Sequence, residues 1–197
     1  MKKSIAIIAL ALAISSAFAQ QTELKAYRDT VATNFFKRTS GMVAGDGGLS
    51  VALADGRSLW LMGDSHIDDY DKATGTIPCI FQVNNSVVVQ AANSWKQEDT
   101  KTLLSNGPGR RSLFKSSPDD KDFYWPVSGI QLKDTVYVYC SGVELTKAGG
   151  NMGFAGTGKG AFAKMKYPEM VVDGYIHFDN LNKIGFGVGF IKQGKYV

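Results

Sequence analysis

The stretch from Gly45 to Asp64 reads G-D-G-G-L-S-V-A-L-A-D-G-R-S-L-W-L-M-G-D. Two apolar runs flank the pair Asp55-Gly56, and this is the strongest short-range signal for a β-hairpin because both central turn residues need positive φ. Counting outward from the turn places Asp46 and Asp64 at the same open end of the two strands. The stretch therefore predicts a hairpin that carries a pair of carboxylates, the groups with which glycosidases work.

The register of this hairpin decides whether the two acids meet. In a two-residue turn, Asp64 faces Gly47 and the acids lie on opposite faces, whereas a looser turn or a bulge at Gly47 and Gly48 aligns them. A purely structural alternative also stays open. In it, Asp46 caps a turn before two glycines, and Asp64 begins an Asx-turn with Ser65.

The N-terminal residues have the features of a secretory signal peptide. A basic start, an apolar run and small residues follow one another at Lys2, Lys3, Ile5 to Ile14, Ala17 and Ala19. This order predicts cleavage before Gln20 and a secreted or periplasmic mature chain. The apolar run is shorter than the roughly 20 residues of a spanning helix, so we expect no membrane span after signal removal.

Charge and short motifs argue against several classes of partner. The net charge of +4 includes Lys2 and Lys3, and the remaining acids and bases are interspersed, which is not typical of nucleic-acid binding. The segment G-F-A-G-T-G-K-G from Gly153 resembles a P-loop, but Gly160 stands where a Ser or Thr must hold magnesium. We therefore expect a flexible inter-strand loop there, with no nucleotide and no cofactor.

The cluster Asp68, Asp69 and Asp71 lacks the glycine and glutamate spacing of a calcium loop, so we interpret it as a solvated loop without a metal. The two cysteines, Cys79 and Cys140, lie in apolar, strand-like runs. Export permits a disulfide between them. Buried free thiols are the favoured alternative.

Strand-like runs follow one another from Gly45 onward, and no segment has a convincing helical period. The lead-in at 20–44 begins with a stretch from Gln20 to Arg38 that could form a short helix or strand. The predicted strands are Leu49 to Leu53, Ser58 to Met62, Ile80 to Val83, Ser86 to Gln90, Gly129 to Leu132, Thr135 to Cys140, Phe162 to Lys166 and Gly185 to Ile191. A unit of small-residue strand, polar turn and aromatic-rich strand recurs near 55, 134 and 193, which favours propeller blades with long insertions over a β-sandwich.

Four segments resemble the DUF5005 and DUF4185 group of secreted bacterial domains of unknown function. They are D-G-G-L-S-V-A-L-A-D-G-R-S-L-W-L-M-G-D-S from Asp46, V-N-N-S-V-V-V-Q from Val83, F-Y-W-P-V-S-G-I from Phe123 and G-F-G-V-G-F-I from Gly185. The resemblance implies an all-β, five-bladed β-propeller related to glycoside hydrolases. Some DUF4185 members are endo-acting enzymes that cut D-arabinan, and by that similarity Asp46 and Asp64 are the acid/base candidates.

The resemblance divides the chain into a signal peptide (1–19), the lead-in (20–44) and a partial propeller (45–197) of about two and a half blades. The blades are expected at 45–118 and 119–180, and a third begins at 181–197. Because the last residues read as half of a hairpin, the chain looks C-terminally truncated, which puts catalysis by this polypeptide in question. The alternatives are a non-catalytic carbohydrate-binding or scaffold propeller and a fragment without a stable fold.

Five further residues are candidates for contact with a polysaccharide or oligosaccharide. Tyr124 and Trp125 offer aromatic faces for a sugar ring, with blade packing as the alternative. Asn84 and Asn85 can hydrogen-bond sugar hydroxyls or merely form a turn. His66, two residues beyond Asp64, either modulates the charge of that acid or lies in an exposed loop.

Overall fold

The computed structural model describes residues 25–106, 109, 111–116, 122–147, 153–179, 189–194 and 196. Their secondary structure is one short helix, α1 (Thr30–Phe36), one 3-10 turn (Gln97–Asp99) and eight strands. The strands are β1 (Met42–Ala52), β2 (Ser58–Ile67), β3 (Ser86–Gln90), β4 (Thr100–Leu103), β5 (Asp122–Leu132), β6 (Thr135–Leu145), β7 (Phe154–Lys166) and β8 (Val171–Asp179). The all-β prediction is confirmed.

The strands form two antiparallel, four-stranded sheets with the orders β1-β2-β3-β4 and β5-β6-β7-β8. In both sheets each strand pairs with the next one along the chain, which is the meander of a propeller blade. The described residues thus form two blades of a partial propeller. The first strand begins at Met42, three residues before the predicted start of the propeller at 45.

The hydrophobic core lies between the two sheets. β5 packs on β1 and β2, and one buried cluster joins Leu59, Leu61 and Val87 of the first sheet to Val138, Ala163 and Met165 of the second. The hairpin turns at one end of the sheets are also joined, because the backbone N–H of Ala54 donates to Gln131 Oε1 at 2.8 Å. The two sheets are therefore one packed unit.

The turn at Asp55-Gly56 is looser than the predicted two-residue turn. Leu53 N donates to Arg57 O at 2.9 Å, so that three residues lie inside the loop, and only Gly56, at φ +84°, has positive φ among them. Asp55 accepts a hydrogen bond from Arg57 Nε at 2.7 Å. This arrangement is a type I turn closed by a left-handed glycine.

Several other predictions need correction. Residues 80–83 form a loop in which only Val83 makes a bridge, to Ser65, whereas β4 and β8 were not predicted. The P-loop-like segment from Gly153 is not a flexible loop, because it pairs with β6 as the start of β7. The predicted strand Gly185 to Ile191 lies mostly outside the described residues, and 189–191 are not strand.

The two cysteines are both free. Cys140 is buried in β6, as expected, but Cys79 is exposed in the loop that follows β2. Burial raises the pKa of the Cys140 thiol far above its usual range. No helix within the described ranges is long and apolar enough for a membrane span.

Candidate active site

The three-residue turn sets the register that places Asp46 opposite Asp64, since Gly45, next to Asp46, pairs with Ser65, next to Asp64. The register between β1 and β2 shifts on both sides of Gly47, and Gly47 and Gly48 have φ values of +87° and +78°. As a result Asp46 lies beside Gly63, where an added Cβ atom would be 3.5 Å from Asp46 Cβ. The charge of Asp46 is close enough to raise the pKa of Asp64, as the looser of the two predicted registers requires.

Asp64 is a half-buried carboxyl group with two hydrogen-bond donors. Burial raises its pKa above the ordinary value, and the nearby charge of Asp46 raises it further. The indole N–H of Trp125 donates to Asp64 Oδ1 at 3.1 Å, and the Asn84 side chain also hydrogen-bonds this carboxyl; both contacts lower its pKa. Burial dominates, so the net shift of the pKa is upward.

A backbone bridge holds Asn84 next to this carboxyl. Ser65, the residue after Asp64, donates its N–H to Val83 O at 2.8 Å, and its own carbonyl accepts the N–H of Val83 at 3.3 Å. Its hydroxyl donates to Gly63 O at 2.6 Å and accepts from the buried Ser86 hydroxyl at 2.9 Å. The loop before β3 is therefore fixed to β2 at the residue that follows the acid.

Asn85 positions Trp125 rather than meeting a ligand. Its side chain is 0% exposed, and its Nδ2 donates to Phe114 O at 2.9 Å and to Tyr124 O at 2.8 Å. Its Oδ1 accepts the N–H of Phe114 at 2.8 Å. This amide is out of reach of a sugar because it is fully buried and both of its N–H donors are in use, and it ties the start of β5, where Trp125 lies, to the first sheet.

Trp125 belongs to a small aromatic group that reaches from the buried Phe123 to the exposed Phe154. Its ring lies 5.8 Å from that of Phe123 and 4.8 Å from that of Phe154, with an edge-to-face angle of 76° to the latter. Phe154, the first residue of β7, is exposed. Phe154 has no signal in the sequence that points to this site, because only the pairing of β6 with β7 brings it to Trp125.

Tyr124 points to the opposite face of β5 from Trp125, as successive strand residues do. Its side chain is buried, its hydroxyl lies 3.2 Å from His177 Nδ1, and burial raises its pKa to about 12. It lines a separate cleft of about 320 Å³ in the second sheet together with Ser116, Asp122, Gly142, Thr157, Lys159, Gly160, His177 and Phe178. Tyr124 is thus not beside the two acids.

His66 pairs with Asp69 instead of with Asp64. Its Nδ1 lies 2.7 Å from Asp69 Oδ2, and both side chains are largely buried, so neither the exposed-loop alternative nor a fully solvated acidic cluster describes this region. Asp68 accepts the N–H of Gly41 at 2.6 Å, and Asp71 accepts that of Ala73 at 2.8 Å. These acids therefore have structural partners of their own.

Two of the predicted contact residues, Asn84 and Trp125, thus lie against Asp64, together with the second acid, Asp46. Asn85 lies inside the fold, Tyr124 lines another cleft, and His66 is held by Asp69. The chemistry that this group permits is proton donation by a carboxyl whose pKa is raised, with a second carboxyl nearby and an aromatic ring beside it.

Comparison with known proteins identifies the fold and the family. No curated protein sequence matches the chain. Among solved structures, a "putative hydrolase from Bacteroides ovatus ATCC 8483" is similar to this chain, with a TM-score of 0.60 and 19% sequence identity. At this identity the similarity concerns the fold alone. The match covers 76% of this chain and 43% of that one. The chain thus spans less than half the length of that structure. The family model of DUF5005, a domain of unknown function, matches residues 29–197, and the chain belongs to this family.

Proposed function

We propose that this protein is an exported hydrolase that cleaves glycosidic bonds in an extracellular polysaccharide, with an arabinan-type furanose polymer as the favoured substrate. The observation that carries the proposal is the pairing of Asp46 with a half-buried Asp64 whose pKa is raised. A fold shared with a structure named as a hydrolase supports the reaction class. The resemblance to the DUF4185 group supports the substrate, and the signal-like N-terminus supports export.

The two carboxyl groups take different roles in this mechanism. Asp64 is the general acid, since burial and the adjacent charge keep its proton on up to a higher pH than usual. It gives that proton to the glycosidic oxygen as the bond to the anomeric carbon breaks. Asp46 in its ionised form either attacks the anomeric carbon or takes a proton from the attacking water.

Substitution of the two acids tests the mechanism. The full chain is assayed on a panel of polysaccharides, D-arabinan first, by the release of reducing ends. Asp46→Asn and Asp64→Asn are each expected to lower kcat by about 10² to 10⁴, because general acid/base catalysis contributes that much. Glu98→Gln, an exposed acid in the 3-10 turn far along the first sheet, is the matched control and retains full activity.

The same assay contains the outcomes that contradict the mechanism. If the wild type cleaves a polysaccharide and both variants keep its rate, the acids are not the catalytic pair. If the wild type releases no product from any member of the panel, the protein is not a glycoside hydrolase of this kind.

A non-catalytic carbohydrate-binding propeller is the second candidate function. The exposed Phe154 ring against Trp125 favours it, since aromatic faces bind sugars without any chemistry. Retention of the protein in a polysaccharide-containing gel, without release of product, distinguishes this function from hydrolysis.

A further inference from the structure

Phe154 and Trp125 form an aromatic surface that begins at the candidate acid. The Trp125 indole N–H donates to Asp64 Oδ1 at 3.1 Å. The centre of the Phe154 ring lies 4.8 Å from the centre of the Trp125 ring. Trp125 comes from β5 and Phe154 from β7, so two strands of the second sheet carry the surface while the first sheet carries the acids. The surface is therefore continuous with the site and extends away from it.

The hydrophobic core does not account for the position of Phe154. Its side chain is 55% exposed, and Leu145, directly opposite on β6, is 65% exposed. A single exposed apolar side chain is ordinary, but here two large ones share one face of a strand pair beside Trp125. Neither belongs to the buried clusters between or within the sheets.

The composition of this surface indicates the kind of ligand. The donor of Trp125 is already used by Asp64, and Phe154 has no polar atom, so both rings offer apolar area and few hydrogen bonds. The C–H face of a sugar ring fits such a surface, whereas the sugar hydroxyls remain in water. Binding sites combine apolar walls with a few polar groups in this manner.

We propose that Phe154 is a binding residue for a sugar ring of the polysaccharide next to the unit processed at Asp46 and Asp64. This inference rests on the proposed function, which it deepens by adding a residue of the second sheet to substrate recognition. Phe154 acts on binding of the chain and not on proton transfer, since the Trp125 ring separates it from Asp64.

The test compares Phe154→Ala with Phe154→Tyr and with Ile176→Ala, a control that removes a similarly exposed apolar side chain from β8. For Phe154→Ala, KM on the polysaccharide that the wild type cleaves is expected to rise about tenfold at unchanged kcat, the scale of one aromatic contact. Phe154→Tyr and Ile176→Ala are expected to keep the wild-type KM. Circular dichroism and thermal unfolding of each variant verify that it is folded.

A binding measurement separates this inference from the hydrolytic mechanism. Asp64→Asn, alone and combined with Phe154→Ala, is run through gels that contain each polysaccharide of the panel. Retention that Phe154→Ala weakens supports the aromatic contact, even if the wild type cleaves nothing and the hydrolytic mechanism fails. Retention or KM that Phe154→Ala leaves unchanged overturns the aromatic contact alone, and neither retention by nor cleavage of any polysaccharide overturns both.

Discussion

The groups around Asp64 shift its pKa in opposite directions. Burial and Asp46 favour the protonated carboxyl, while Trp125 and Asn84 donate to it and favour the carboxylate. Loss of the Asp64 proton is therefore less favourable in the folded protein than it is for an ordinary aspartate.

The raised pKa of Asp64 predicts how the stability of the fold depends on pH. Because the folded state binds the Asp64 proton more tightly than the unfolded state does, the free energy of unfolding falls as pH rises from the ordinary pKa of 3.8 through the raised one. Asp64→Asn keeps an oxygen for the Trp125 N–H but has no charge. Its thermal midpoint is expected to exceed that of the wild type at pH 7, and the difference should vanish below pH 3.8.

Differential scanning calorimetry across this pH range measures the effect, and Glu98→Gln again serves as the control, with no pH-dependent difference from the wild type. If Asp64→Asn is instead less stable than the wild type, by the same amount at pH 7 and in acid, the carboxyl group stabilises the fold and the expected rise in the thermal midpoint is contradicted.

The bulge of β1 at Gly47 lies directly beside Asp46 and shifts the local register between β1 and β2. Gly47 has a φ of +87°, a backbone conformation that residues with a side chain rarely adopt, and a Cβ atom there would lie 3.2 Å from Leu61 O. The backbone position of the neighbouring Asp46 thus depends on a conformation that glycine adopts without strain.

Replacement of Gly47 should therefore disturb the site more than the fold. Gly47→Ala is expected to cost about 1–3 kcal/mol of unfolding free energy and to lower activity by moving Asp46 relative to Asp64. Gly156→Ala, in open space on β7 and without positive φ, is the control. Chemical denaturation and the polysaccharide assay read out both effects; normal stability and activity in Gly47→Ala would contradict this role of the bulge.

Local pattern predicted the strands whose apolar residues are contiguous, such as Ser86–Gln90, which is buried throughout. The local pattern did not predict β4 and β8. These strands lack a regular alternation of apolar and polar residues, and they are held by pairing with a neighbouring strand. The local pattern also selected Asn84 and Asn85 together, although alternation sends one towards Asp64 and the other into the fold. Sequence thus selected both acids as candidates, but Phe154 required the tertiary pairing.

At the scale of the whole molecule, close packing between the sheets leaves no room at Gly129 of β5. A Cβ atom there would lie 2.9 Å from Val51 Cγ2 and 3.1 Å from Tyr137 O. Val51 belongs to β1, so this contact sets how near the second sheet approaches the first. Interiors packed in this way tolerate added atoms poorly.

Gly129→Ala is accordingly expected to lower the free energy of unfolding by about 1–3 kcal/mol, as overpacking of a core does. The double variant with Val51→Ala should lose less than the sum of the two single losses, because the smaller residue makes room for the added methyl group. Urea denaturation of the four proteins measures the coupling. Strictly additive losses would show that Val51 and the added Cβ atom do not clash.

The hydrogen bond from Trp125 to Asp64 crosses from one sheet to the other. Both acids reside on a single hairpin, yet the donor and the aromatic surface arrive only when its neighbour is docked. Loosening that junction by heat or mutation would leave the two carboxyl groups on their hairpin but remove the Trp125 hydrogen bond and the aromatic rings beside Asp64. Inactivation should consequently track separation of the sheets, well before either hairpin melts.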